Sequence, residues 1–151
     1  MSWTARLGEL GIELPGVAAP VAAYVPAVRS GSQVLTSGQL PFVEGSLPET
    51  GKVGGEVSPE AAKGHARTCA LNALAAVDSV AGLDSIVRVV KVTGYVASAE
   101  GFTGQPAVIN GASELLGEVF GDAGVHVRAA VGVAELPLGA PVELDLVVEV
   151  A

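Results

Sequence analysis

The chain has little cysteine, little positive charge and no long hydrophobic run. Cys69 is the single cysteine among 151 residues, so neither a disulfide framework nor a cysteine-based zinc site can be built within one chain. Its neighbours are apolar and helix-forming, which predicts a buried, inert thiol. Eight Lys and Arg stand against sixteen Asp and Glu, a formal net charge of −8. The basic residues are scattered, and a nucleic-acid binder needs a basic face because phosphate neutralisation supplies most of its affinity. No apolar stretch approaches the ~20 residues that cross a bilayer. Glu9 and Glu13 interrupt any signal-peptide core, so a cytoplasmic protein with no membrane partner is expected. What remains is apolar: half the residues are hydrophobic and 16% are charged. That composition predicts one domain over residues 1–151 with a real core.

Residues 1–20 read as an N-terminal arm with a short amphipathic piece from Arg6 to Leu10. Tyr24–Arg29 and Gln33–Gln39 read as strands around a Ser30-Gly31-Ser32 turn. A long polar loop from Pro41 to Gly55 follows. Ser58 and Pro59 open a helix that Gly82 closes, with Ala62, Ala66, Cys69, Ala70, Ala73 and Val77 at helical spacing. Ile86–Val96 is a β-branched run and a central strand. A second helix is predicted from about Gln105 to Phe120, ended by Gly121. Val125–Val133 and Val142–Val150 close the chain as strands. The order β-β-(β)-α-β-α-β-β predicts an α+β sandwich, with a mixed sheet of about six strands and both helices on one face.

Arg128 is the unusual residue in this pattern. Alternation places Val125, Val127, Ala129, Val131 and Val133 on one strand face, and His126, Arg128, Ala130 and Gly132 on the other. The valine face is expected to pack on the core. A guanidinium among small side chains leaves room beside it, and its fixed fork of donors suits a planar carboxylate. The last strand carries Glu143, Asp145 and Glu149 on its odd face. A hairpin through Leu136–Pro141 would bring Arg128 and these carboxylates to one side of the sheet. Two readings follow: a site for a small organic acid, or a structural Arg–Glu pair at a subunit interface. The sheet face away from the helices, expected to include Ala130, Gly132 and Val147, is too apolar to leave wet, which predicts burial against copies of the chain.

Two blocks carry a family resemblance. Arg128 to Pro137 (RAAVGVAELP), followed by Gly139-Ala-Pro-Val-Glu143, resembles the C-terminal signature of the Rid (YjgF) family of enamine/imine deaminases, also labelled endoribonuclease L-PSP or translation inhibitors. Tyr24-Val25 with Thr36-Ser-Gly-Gln-Leu-Pro41 matches the other diagnostic block. Leu71–Leu74 and the run from Phe102 to Asn110 also align, so the likeness covers about residues 17–151.

The resemblance implies a chorismate-mutase-like fold and a homotrimer with clefts between subunits. It implies cofactor-independent, metal-free hydrolysis of 2-imino acids to 2-keto acids and ammonia. Arg128 matches the arginine that binds the substrate carboxylate, and Glu143 the glutamate that positions water. Gly38 and Ala130 match backbone positions lining the site, and Tyr24 and Asn110 match its aromatic and amide. His126 shares a strand face with Arg128 and is a further candidate for the site. His126-Val127 replaces the usual pair before the arginine, Ala129 and Ala130 replace a hydroxyl residue and a cysteine after it, and Gly111-Ala112-Ser113 departs from a bulkier pattern. These mark a divergent branch. The alternatives are a non-catalytic, small-acid-binding or regulatory trimer and, against the acidic balance, a ribonuclease. His65 reads as polar surface, and Ser37 has no partner base.

Overall fold

The computed structural model describes residues 2–17 and 23–151. Local signals set the two long helices. Ser58 accepts a hydrogen bond from the Ala61 N–H and Pro59 fills the first turn. Helix α2 therefore starts at Pro59; it runs to Ala81 and stops at Gly82, whose φ of 80° favours glycine. Helix α3 spans Gln105–Phe120 and ends at Gly121, φ 58°. A short helix, α1, covers Trp3–Glu9 and is capped by Ser2. Trp3 docks it by donating its indole N–H to the Ile86 carbonyl at 2.8 Å and standing edge-on to Phe120.

Five strands form one sheet: β1 (Ala27–Ser30), β2 (Gln33–Thr36), β3 (Ile86–Ala97), β4 (Val127–Val133) and β5 (Val142–Val150), in the order β1-β2-β5-β3-β4. All pairs are antiparallel except β3 with β4, which α3 joins as a parallel β-α-β unit. Helices α2 and α3 pack on one face. Between helices and sheet, Leu74, Ile109, Leu115, Leu116, Val92, Leu144 and Leu146 are fully buried, and Cys69 lies buried among them. Burial pushes its thiol pKa well above the ordinary value, so it stays protonated.

The helices approach closely where side chains vanish. A Cβ on Gly111 would collide with the backbone carbonyl of Lys63 in α2, and one on Gly94 would collide with Ile109. Gly111→Ala is therefore expected to destabilise the fold by about 2 kcal/mol, outweighing alanine's helix preference of about 1 kcal/mol. Gly64, with open space around it, is the control. Urea unfolding should show a lower midpoint for Gly111→Ala and a slightly higher one for Gly64→Ala.

Three expectations need correction. The sheet has five strands rather than six. The 41–55 loop is tied by single bridges, Val43 with Ser46 and Val53 with Val57 and Ser98, in place of a ladder. Strands β4 and β5 do not form a hairpin, because β3 lies between them and pairs with both. The faces of β4 are also reversed. Ala130 and Gly132 turn toward the helix layer, with Ala130 against the core. Val127 and Val131 are 65% and 43% exposed on the other side.

Candidate functional site

Register decides where the candidate residues go. Arg128 pairs laterally with Val92, which pairs with Leu146, so all three side chains share the helix-covered side. Glu143 pairs with Tyr95, which pairs with Val131, so these share the open side. Arg128 and Glu143 therefore lie on opposite faces of one sheet. The expectation of one shared side fails because it took the valine face of β4 as the core-facing one, and that face is the open one.

On the helix side, Arg128 is half-buried at the sheet edge and held by α3. Its Nη1 donates to Asn110 Oδ1 at 2.9 Å and Ser113 Oγ at 3.1 Å, and its Nη2 donates to the Pro106 carbonyl at 3.0 Å. A guanidinium has five N–H donors, so two remain for a ligand. Asn110, Ser113 and Gly117 recur at helical spacing on one face of α3. With Gly124, His126 and Arg128 they line an open cleft of about 390 Å³. His126 Nδ1 lies 2.6 Å from the Gly124 carbonyl, and Nε2 lies 2.9 Å from Ser113 Oγ. Asn110, His126 and Arg128 thus line one cleft. Ser113 was missed as a site residue; its signal was its place three residues after Asn110, one turn along the same helix face.

On the open side, Glu143 sits against Gly38. Gln39 exchanges backbone hydrogen bonds with Leu144, at 2.7 and 3.0 Å. Buried Asn72 donates to the carbonyls of Leu40 and Phe42. The Ser37–Phe42 segment is thereby fixed, and a Cβ on Gly38 would overlap the Glu143 carboxylate. Ser37 bonds the carbonyls of Val25 through its hydroxyl and of Pro26 through its N–H, which anchors the chain beside Tyr24. Tyr24 itself is 46% exposed. Desolvation, then the neighbouring Asp145, raise the Glu143 pKa above the usual carboxylate range. Asp145 is also raised by burial, although it accepts a hydrogen bond from Tyr95 Oη at 3.0 Å.

Other polar residues have local partners. His65 lies 2.8 Å from Glu49 and is mostly shielded, so it is less exposed than its helix position suggested. Lys52, Lys63 and Arg67 pair with Glu135, Glu114 and Glu118. Among the described residues no three His, Cys, Asp or Glu cluster as a metal site, and no helix is long and apolar enough to cross a membrane.

Comparison with known sequences places this architecture. The profile of the family described as "YjgF/chorismate_mutase-like, putative endoribonuclease" matches residues 4–150. The chain belongs to the YjgF family. Its α+β fold is accordingly the chorismate-mutase-like one. Among relatives, "Protein TCP17" of Trypanosoma cruzi is 46% identical over 147 residues, covering 96% of this chain and 92% of that protein. The crystal structure of Atu1372 from Agrobacterium tumefaciens is 45% identical with a TM-score of 0.90, covering 99% of this chain and 92% of that one. A YjgF-like structure from Shewanella oneidensis, described as a "putative endoribonuclease", is 32% identical with a TM-score of 0.95, covering 99% of this chain and all of the other.

Proposed function

We propose that this YjgF-family chain is a homotrimeric, cofactor-independent deaminase that hydrolyses 2-imino acids to 2-keto acids and ammonia. The observation that carries the reading is the prepared state of Arg128: half-buried, gripped by three acceptors on α3, and left with two donors beside an open cleft. A carboxylate fits those two donors in a bidentate, charge-assisted contact. Fixing it would present the neighbouring imine carbon in one orientation. That carbon is already electrophilic, so the enzyme needs chiefly to deliver water. Glu143 accepts the proton as water oxygen bonds to the carbon. That proton goes to the nitrogen, giving a carbinolamine, and the hydroxyl proton then moves by way of Glu143 to the nitrogen as the C–N bond breaks, so that ammonia leaves and the keto group remains. A carboxyl with raised proton affinity suits a group that takes and returns a proton.

Arg128 and Glu143 cannot meet within one protomer because the sheet separates them. In a cyclic trimer, the helix-side cleft of one protomer can face the open side of the next. The open side favours such cover. One lateral row across it runs Val28, Leu35, Val147, Lys91 and Val127; Val28 and Leu35 are 50% and 38% exposed. Tyr24, Gly38 and Glu143 would then form one wall, and Arg128, Asn110, His126 and Ala130 the other. The ribonuclease description of relatives fits this chain less well, since Lys52, Lys63 and Arg67 are paired with carboxylates and form no basic groove.

The test generates 2-imino acids in situ from several amino acids with an oxidase and follows semicarbazide trapping. Wild type should suppress trapping; a wild type that leaves every imine untouched overturns the proposal in favour of an acid-binding trimer. Shared sites make a second prediction. Arg128→Ala and Glu143→Gln protomers, each inactive alone, should recover about a quarter of wild-type activity when co-refolded in equal amounts. Each mixed trimer then regains one intact site of three, and random assembly makes about three-quarters of trimers mixed. No recovery would exclude a site shared between protomers.

A further inference from the structure

We propose that Ser113 is a positioning residue for Arg128, oriented in turn by His126, and that this relay governs how tightly the cleft grips an organic acid. The inference rests on the proposed role of Arg128 as a carboxylate anchor and adds two residues that act through it.

The protons can be placed from the contacts. A carbonyl only accepts, so the 2.6 Å contact between His126 Nδ1 and the Gly124 oxygen requires the proton on Nδ1. In the neutral ring Nε2 is then a bare acceptor, 2.9 Å from Ser113 Oγ. The serine hydroxyl donates to it, which turns an oxygen lone pair toward Arg128 Nη1 at 3.1 Å. With the ring neutral, the chain of donors runs from end to end: guanidinium to serine, serine to imidazole, imidazole to backbone.

Without His126 the hydroxyl is free to rotate, as helical serines do, toward the carbonyl one turn back. Without Ser113, Nη1 keeps only Asn110 Oδ1. Either loss loosens one of the three contacts on the guanidinium, leaving Asn110 Oδ1 and the Pro106 carbonyl to hold it. Ser113 and His126 therefore trim the fork's plane that Asn110 and Pro106 set in outline, and the plane decides whether both spare donors meet one carboxylate. Neither residue touches the imine carbon in this scheme, so the effect falls on acid binding rather than on water addition.

The experiment measures turnover on imines and, separately, the affinity for pyruvate by calorimetry, for wild type, Ser113→Ala, Ser113→Thr, His126→Phe and the Ser113→Ala/His126→Phe double variant. Nitrogen NMR of His126 reports its tautomer independently of activity and should show the proton on Nδ1. Ser113→Ala is expected to raise KM and the pyruvate Kd by about tenfold, the scale of one hydrogen bond to a charged group, while kcat changes little. Ser113→Thr, which keeps the hydroxyl, should return close to wild type. The double variant should be no weaker than Ser113→Ala alone, because His126 acts through the serine. With an active wild type, a Ser113→Ala KM within twofold of normal, additive single effects, or the proton on Nε2 overturns the relay and leaves the deaminase reading standing. A wild type that neither binds pyruvate nor turns over an imine removes that reading and the relay together.

Discussion

Arg128→Ala is expected to lower kcat/KM for imino-acid hydrolysis by two to four orders of magnitude, with the loss steepest for the smallest substrates. Two charge-assisted hydrogen bonds to a carboxylate are worth about 3–5 kcal/mol between them, and a small imino acid has few other handles to replace them. Arg128→Lys should not restore the activity. An ammonium is a single point of charge, whereas Arg128 meets Asn110, Ser113 and the Pro106 carbonyl on α3 and still has donors to spare. Semicarbazide trapping with substrates of increasing side-chain size checks the result. Trapping still suppressed by Arg128→Ala at the wild-type rate would remove the anchor from the mechanism. Circular dichroism should show the variant folded, since Arg128 stands at the sheet edge beside an open cleft, outside the buried core.

Glu143→Gln has two effects of opposite sign. Turnover is expected to fall by about 10²–10⁴-fold, the usual contribution of a positioned base, because an amide cannot take the proton that the proposed base accepts. Stability at neutral pH rises slightly. Burial and Asp145 raise the proton affinity of Glu143 in the folded chain, so the fold binds that proton more tightly than the unfolded chain does. The stability this carboxyl contributes is complete below the ordinary carboxylate range and is lost as pH rises through the raised value. The variant's melting temperature should match wild type at acid pH and exceed it by a small margin near neutrality, in a series of thermal melts. In wild type, kcat/KM should climb with pH along a limb above the usual carboxylate range. A pH-independent gap in melting temperature, or a limb at the ordinary glutamate value, would mean that Glu143 is not perturbed in the assembled protein.

Much of the fold was legible where a local signal carried it. Ser58, Pro59 and Gly82 bounded α2 because caps are decided by neighbouring residues. The β-branched run at Ile86 and the alternation in β5 likewise depend on short stretches. Pairing does not. Alternation divides β4 into two faces but does not say which one the helices cover. The valines suggested the wrong face, because α3 lies so close that only small residues and one arginine at the edge fit beneath it. The hairpin expectation failed for a related reason: nothing within Leu136–Pro141 tells that β3 will slip between the strands the loop connects. At the proposed site, Arg128 and His126 stand out as polar residues on a small-residue strand face, whereas Asn110 is singled out only by the family resemblance. Ser113 was missed, because a serine within a helix carries no mark until the strand beside it is placed. Gly38 and Glu143 were singled out separately by motif, and only the structure shows that the glycine is required by the carboxylate it touches.

The docking of α1 has a practical consequence. Trp3 is the sole tryptophan of the chain, and its ring is spent on the Ile86 carbonyl and Phe120, away from both walls of the proposed site. Emission excited selectively at the tryptophan should therefore report the amino-terminal helix peeling away and stay unchanged when an acid enters the proposed cleft, giving an optical readout of integrity that ligand titrations do not disturb.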